Sequence, residues 1–119
     1  MITPPQSLFG RRLRAARIQA GLAQDRLGVL IGLDEGCSSA RISRYETGTH
    51  APPFEVAQSL SIVLKVPVAY FYCPEDSLAE LLMELYHWAQ GDWERVLKEI
   101  KPLCHQTLKN ESMSTFSKL

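Results

Sequence analysis

The sequence predicts an all-α protein, with a five-helix N-terminal domain followed by a C-terminal helical hairpin. Apolar residues recur three and four positions apart in successive segments, and glycine or proline separates these segments from one another. With 119 residues and 45% hydrophobic content, the chain can bury one modest core without a disulfide or a metal ion. We expect a main domain over residues 1–74, a helical appendage over 75–109 and a mobile, serine-rich tail over 110–119.

The first two helices are predicted from residues typical of helix ends. Ser7 can cap a first helix that runs to Ala20, and a second helix is expected over residues 23–31. Gly28 lies inside this second helix, where glycine costs about 1 kcal/mol relative to alanine. We therefore expect the facing helix to approach Gly28 too closely for a side chain. The first helix should turn Phe9, Leu13, Ala16 and Ala20 inward.

A third helix is predicted to begin after Ser38, its N-cap, because residues 39–45 contain no helix breaker, and Thr47-Gly48 should end it. Ile42 and Tyr45 are three positions apart, so they share the inward face. The other side chains are left for solvent or a ligand, and two arginines among them indicate an anion. These outward residues are Ser39, Ala40, Arg41, Ser43 and Arg44.

Four further helices are predicted after the third. They cover residues 54–65, 67–72, 77–90 and 93–101. Asp92 can cap the last of these, and Pro102 should limit or kink it before an apolar segment that follows. Periodicity cannot distinguish burial within one chain from burial between chains. The apolar face of the appendage is therefore expected either to pack on the main domain or to pair with a second subunit.

Two strings of the sequence match a known family. Residues 16–24, Ala-Arg-Ile-Gln-Ala-Gly-Leu-Ala-Gln, resemble the end of the first helix and the start of the second in the lambda-repressor/Cro-like helix-turn-helix proteins. Residues 42–48, Ile-Ser-Arg-Tyr-Glu-Thr-Gly, resemble the end of their recognition helix. The resemblance covers residues 8–72. It implies a double-stranded DNA partner with the third helix in the major groove, and a structural ion pair between Arg17 and Glu46.

The same resemblance implies which side chains contact DNA. The glutamine of the family that matches Gln24 meets a phosphate and braces the recognition helix. Arginine can bond bidentately to guanine, so Arg41 and Arg44 are the leading candidates for base contacts. The candidate DNA-contacting residues are Gln24, Ser38, Ser39, Ala40, Arg41, Ser43, Arg44, Thr47, Thr49 and His50.

Two features depart from the family pattern. The segment 33–37 makes the turn before the third helix about four residues longer than usual. The loop 47–53 offers only His50 where many relatives carry lysine or arginine against the DNA backbone. Some phosphate contacts are therefore expected from the first helix, which carries Arg11, Arg12 and Arg14.

Charge is distributed unevenly along the chain although its formal net charge is zero. Residues 1–50 hold seven arginines and four acidic residues, which gives +3, whereas residues 51–119 hold six basic and nine acidic residues, which gives −3. Because binding to DNA releases counterions in proportion to the phosphates neutralised, the positive half is the one suited to DNA. The two halves are expected to face different partners.

No pattern in the sequence indicates an enzyme. His50, His87 and His105 lie in separate segments without metal-ligand spacing, and neither a nucleophile elbow nor a glycine-rich phosphate loop occurs. The three cysteines lack paired spacing, so reduced thiols are expected. We expect no cofactor and no metal. The absence of a long apolar run or a signal pattern predicts no membrane partner and a cytoplasmic, nucleoid-associated location.

The function expected from these patterns is that of a sequence-specific transcriptional regulator of the bacterial or phage type. It should act as a repressor, binding a palindromic operator as a homodimer. An antitoxin-type module is an alternative, in which residues 76–109 bind a partner protein. A third hypothesis is a protein-interaction module that keeps the helical fold without recognising DNA.

Overall fold

The computed structural model describes the backbone of residues 7–118 and the side chains of residues 7–106. It contains six α-helices and one 3-10 helix, and the described residues form no β-strand. The all-α prediction is therefore confirmed. The helices are α1 (Leu8–Gln19), α2 (Gln24–Leu30), α3 (Glu35–Thr47), α4 (Phe54–Leu64), the 3-10 helix (Val68–Tyr72), α5 (Asp76–Ala89) and α6 (Trp93–Lys118).

The chain forms two compact units, the first ending at Met83 and the second beginning at Glu84. The boundary lies within α5, later than the boundary predicted after residue 74. Its position is explained by Ala79, Leu82 and Met83, which pack against the core of the first unit. The start of the predicted appendage thus belongs to the first unit.

The core of the first unit brings together residues from α1 to α5. The ring of Phe9 on α1 lies 4.9 Å from that of Phe71 and 5.4 Å from that of Tyr72 in the 3-10 helix. Apolar burial of this kind is the main favourable term in the folding of a small domain. The fully buried large side chains are Leu13, Leu27, Ile42, Leu60, Val66 and Phe71.

The ends of α1 and α4 agree with the sequence prediction to within one residue. Ser7 caps α1 by accepting a hydrogen bond from the backbone N–H of Gly10 at 2.9 Å, as predicted. Ala20 was expected to face inward, but it lies after the last turn of α1 and is exposed. The predicted fifth helix is a 3-10 helix, the tighter form that is common in short connecting pieces.

Helix α3 begins earlier than the sequence predicts. Asp34 occupies the N-cap position and the helix starts at Glu35, so the segment 33–37 is not a lengthened turn. The extra residues instead add about one turn to the N-terminal end of α3. The N-cap prediction for Ser38 was wrong because its hydroxyl bonds across to α2 rather than to a free amide of its own helix.

The second unit contains the end of α5 and the whole of α6. Asp92 caps α6 by accepting a hydrogen bond from the N–H of Arg95 at 3.1 Å, as predicted. The helix then continues through Pro102, which was expected to end or kink it. The backbone of residues 110–118 is therefore helical where a mobile tail was expected, and residue 119 lies outside the described residues.

Within the second unit, the two helices are held together by apolar and polar contacts. Ala89 on α5 and Val96 on α6 are buried. The guanidinium of Arg95 donates to the carbonyl of Trp88 at 2.8 Å and lies 5.0 Å from the centre of its ring. Although α6 is 26 residues long, no helix in the described part of the chain is apolar enough to cross a membrane.

Candidate nucleic-acid interface

Helices α2 and α3 cross at Gly28 and Ser38. A Cβ atom placed on Gly28 would overlap the Cβ of Ser38 and lie 2.9 Å from its Cα. The hydroxyl of Ser38, which is fully buried, donates to the backbone carbonyl of Asp25 at 2.8 Å. This close crossing, predicted from the position of Gly28, fixes one face of α3 against α2.

A buried ion pair holds the other end of α3. The guanidinium of Arg17 on α1 donates to both carboxylate oxygens of Glu46, at 2.7 and 3.0 Å, and to the carbonyl of Leu22 at 2.9 Å. The amide of Gln24 donates to the same carboxylate at 3.4 Å. The pair predicted between Arg17 and Glu46 is therefore present. It joins the end of α1, the start of α2 and the last turn of α3.

The hydrogen bonding and opposite charges of this pair favour the ionised form of Arg17. The hydrogen bond that Arg17 donates to Glu46, together with the negative charge of Glu46, raises the pKa of Arg17 above its ordinary value, although burial acts in the opposite direction. The side chains of Arg17 and Glu46 are only 13% and 4% exposed. Arginine already stays protonated at any physiological pH, so the guanidinium of this pair keeps its charge in that range.

The two anchors leave the opposite face of α3 open. Ser38, Ile42, Tyr45 and Glu46 are buried, so residues about half a turn away from them point outward. Of the candidates, Ser39, Ala40, Arg41 and Arg44 are exposed and Ser43 is half-buried. Each arginine can present a planar fork of N–H donors on this face. The structure thus brings most of the sequence-predicted base-contacting side chains to one surface.

The end of α3 and the loop after it carry further candidates. Gly48 ends the helix with φ of 83°, a left-handed conformation that suits glycine. The hydroxyl of Thr47 lies 2.8 Å from that of Thr49, and the backbone N–H of His50 donates to the carbonyl of Arg44 at 3.2 Å. Thr49 and His50 are exposed and Thr47 is half-buried. This loop is therefore tied to the last turn of the exposed helix.

The structure contradicts one predicted DNA contact and excludes one of the arginines that the sequence left open. Ser38 has no exposed surface, so it supports α3 from behind and cannot reach a base or a phosphate. Arg12 was one of the three arginines considered for phosphate contacts. Its guanidinium instead donates to the carbonyl of Cys73 at 2.8 Å and to the carboxylate of Asp76 at 2.9 Å. Arg11 and Arg14 on the same helix are exposed.

The sequence did not predict the exposed residues in the first turn of α3. Glu35, Gly36 and Cys37 extend the helix beyond the predicted start, and all three are exposed. Asp34 was the available signal, since aspartate is a preferred N-cap residue. Next to this turn, a cleft of about 310 Å³ between α2 and α3 is lined mainly by Asp25, Arg26, Val29 and Glu35.

Comparisons with known proteins agree with this geometry. A protein family described as a helix-turn-helix domain matches residues 8–69. Two curated relatives are an uncharacterized HTH-type transcriptional regulator of Sinorhizobium medicae (strain WSM419) and the uncharacterized HTH-type transcriptional regulator R00410 of Rhizobium meliloti (strain 1021). Each is 33% identical to this chain over 63 residues, which is 53% of this chain and 42% of the relative. The chain therefore matches less than half the length of these relatives.

A solved structure is similar over a larger share. The crystal structure of the transcriptional regulator BswR is 43% identical in sequence and superposes with a TM-score of 0.65. The likeness covers 76% of this chain and 92% of that one. Its extent supports the all-helical architecture described above.

Proposed function

This chain belongs to the helix-turn-helix domain family, and from that premise we propose that it is a DNA-binding transcriptional regulator that recognises a specific operator sequence. The observation that carries the proposal is the position of Arg41 and Arg44. Both side chains are exposed on the outer face of α3, whose inner face is fixed by the Gly28–Ser38 crossing and the Arg17–Glu46 pair. A rigid helix with outward arginines suits the major groove.

The side chains of the outer face suit distinct contacts within such a complex. Arg41 and Arg44 can each donate two hydrogen bonds to the O6 and N7 acceptors of a guanine. The methyl group of Ala40, on the same exposed face, can contact the methyl group of a thymine. Ser39 and Ser43 carry hydroxyls that can bond a base edge or a phosphate. Specificity would therefore come chiefly from the two arginines.

Contacts to the DNA backbone are assigned to the ends of the helices that flank this face. Gln24 lies in the first turn of α2, where free backbone N–H groups favour a phosphate. Thr49 and His50 are exposed in the loop after α3, with Thr47 beside them. Contacts of this kind fix the register of the protein on the duplex but carry no base information.

We propose that the regulator acts as a homodimer on a two-fold symmetric operator. One short helix contacts only a few base pairs, whereas two copies of α3 about 34 Å apart can contact successive major grooves on one side of the duplex. Repression is the regulatory outcome that we infer, because a dimer bound across a promoter excludes polymerase sterically. Such a protein would act on the nucleoid, in the cytoplasm.

The test is selection of bound duplexes from a random DNA pool with the purified protein and with Arg44→Ala. We expect a two-fold symmetric motif for the wild-type protein, and a loss of about 1–3 kcal/mol with relaxed preference at one position per half-site for Arg44→Ala. The matched control is Arg11→Ala, an exposed arginine on α1, which should leave the motif unchanged. Failure to enrich any motif at moderate salt would overturn the proposal in favour of a protein-binding role.

A further inference from the structure

Helix α6 presents an apolar seam on the surface of the second unit. Trp93 is 46% exposed, Leu97 is 57% exposed, and Cys104 is also exposed, while Ile100 is half-buried. The intervals between these four residues are four, three and four positions. This is the heptad spacing of the a and d positions in a coiled coil, with Trp93 and Ile100 at d and Leu97 and Cys104 at a.

Within the second unit, the seam contacts α5 at its first residue, where the ring of Trp93 lies 6.4 Å from that of Tyr86. The polar contacts of α6 involve other faces of the helix. Val96, immediately beside the seam, is buried in the unit. On the far side, Arg95 lies 3.9 Å from the carboxylate of Asp92 and 3.7 Å from that of Glu99. Within its own unit, α6 therefore makes its main polar contacts through surfaces other than the seam.

The residues that flank the seam have opposite charges. Glu94 and Lys101 occupy successive e positions, one heptad apart, and both are exposed. Neither forms an ion pair with another described residue, and two helical turns separate them, too far for a direct contact on the same helix. In coiled coils, charges at the positions beside the seam set the choice and orientation of the partner helix.

We propose that the seam of α6 binds the seam of a second copy of this chain in antiparallel orientation. In that arrangement Leu97 faces Ile100 of the partner subunit, and Trp93 faces Cys104 of the partner subunit. The e positions of the two helices then face each other. Glu94 of each protomer meets Lys101 of the partner subunit, so the sequence is complementary to itself.

A parallel pair would not use these charges. There, an e position faces a g position of the other helix, and the g positions of this segment hold the apolar Val96 and Leu103. Two bulky Trp93 side chains would also meet in one layer. The antiparallel pair instead forms two opposite-charge contacts and places the bulky Trp93 opposite the smaller Cys104 of the partner subunit. The inference rests on the homodimer of the proposed function and assigns its interface.

The charge arrangement is tested by sedimentation equilibrium of the full chain. We expect Lys101→Glu to weaken dimerisation roughly five- to thirtyfold, because two symmetric attractive pairs become repulsive. The double variant Glu94→Lys with Lys101→Glu should restore dimerisation to within about threefold of wild type. The matched control is Lys98→Glu, the same charge change at a b position outside the e-to-e contacts, which should have a much smaller effect. A double variant no better than Lys101→Glu alone would overturn the antiparallel register.

The apolar seam is tested by Leu97→Glu. This exposed position tolerates a charge in the folded monomer, so we expect a helical circular dichroism spectrum like that of wild type with loss of the dimer. The control is Ile62→Glu on α4, where the native side chain is 73% exposed, and the dimer should persist. The proposal fails if Leu97→Glu remains dimeric, if Ile62→Glu is the variant that dissociates, or if the wild-type chain is monomeric at all concentrations.

DNA selection separates this inference from the proposed function. Monomeric Leu97→Glu should still enrich the half-site, because the α3 surface is unchanged. If Leu97→Glu still forms a dimer and enriches the full motif, the α6 interface is overturned, whereas operator recognition is supported. If the charge variants change dimerisation as expected but the protein enriches no DNA, the interface is supported and the proposed function is overturned.

Discussion

Gly28 on α2 and Ser38 on α3 approach each other so closely that any side chain at position 28 would collide with the facing helix. An added Cβ would lie 2.9 Å from the Cα of Ser38 and 3.0 Å from its carbonyl oxygen. Because those atoms belong to the backbone, no rotation of a side chain can relieve the contact. The glycine therefore sets the distance between the two helices, and with it the position of the exposed arginines on α3.

Gly28→Ala should destabilise the protein despite the better helix propensity of alanine. Overpacking against an immobile backbone costs up to about 3 kcal/mol, and the propensity gain offsets about 1 kcal/mol of this. We expect a net loss of about 2 kcal/mol in the free energy of unfolding, measured by urea denaturation. Gly36→Ala, on α3 with nothing within 4 Å of the added Cβ, should instead stabilise the protein by about 0.5–1 kcal/mol. Equal effects of the two substitutions would contradict the close crossing.

Ser38→Ala should affect stability rather than DNA contact. The substitution removes the hydrogen bond from the Ser38 hydroxyl to the carbonyl of Asp25, which is worth about 1 kcal/mol in the free energy of unfolding. Affinity for a selected duplex, measured well below the melting temperature, should stay within about twofold of wild type. Ser39→Ala is the neighbouring control. Its exposed side chain should change stability by less than about 0.5 kcal/mol while weakening the duplex complex.

Removing one member of the Arg17–Glu46 pair should cost more than removing both. Glu46→Leu leaves the guanidinium of Arg17 with little exposure and no counter-charge, and we expect a loss of about 3 kcal/mol in the free energy of unfolding. Arg17→Met with Glu46→Leu removes both charges and should recover much of that loss. Thermal and urea unfolding of the wild type, the two single variants and the double variant give the coupling energy. Additive single effects would show that the ion pair contributes nothing as a pair.

Arg12 and Asp76 should differ greatly in their contributions to stability, although they form an ion pair at 2.9 Å. The side chain of Arg12 is 12% exposed and also donates to the carbonyls of Cys73 and Pro74. Arg12→Met leaves these carbonyls without that donor, so we expect a loss of about 2 kcal/mol. The side chain of Asp76 is 84% exposed, so Asp76→Asn should change stability by less than about 1 kcal/mol. Comparable losses for both substitutions, measured by urea denaturation, would contradict this assignment.

Particular residues explain where the predicted and the observed structures agree and where they differ. Gly28 indicated a close helix crossing, and the 16–24 and 42–48 strings indicated the Arg17–Glu46 pair; both are present. Ser38 misled the prediction because serine is favoured both as an N-cap and at buried positions where its hydroxyl finds a carbonyl. Nothing local distinguishes these roles. The predicted start of α3 depended on the role assigned to Ser38. The prediction therefore missed Glu35, Gly36 and Cys37, which are exposed in the first turn of the helix.

The sequence by itself determined the helical class, the approximate course of α1, α2 and α4, and the outward face of α3 with Arg41 and Arg44. These features follow from residue spacing along a single helix and from end signals that act within one turn. The tertiary structure alone decided that Ser38 is buried, that the donors of Arg12 bind the segment before α5, and that the first unit extends to Met83. Each of these outcomes depends on partners far away in the chain, whose distance and orientation no local pattern encodes.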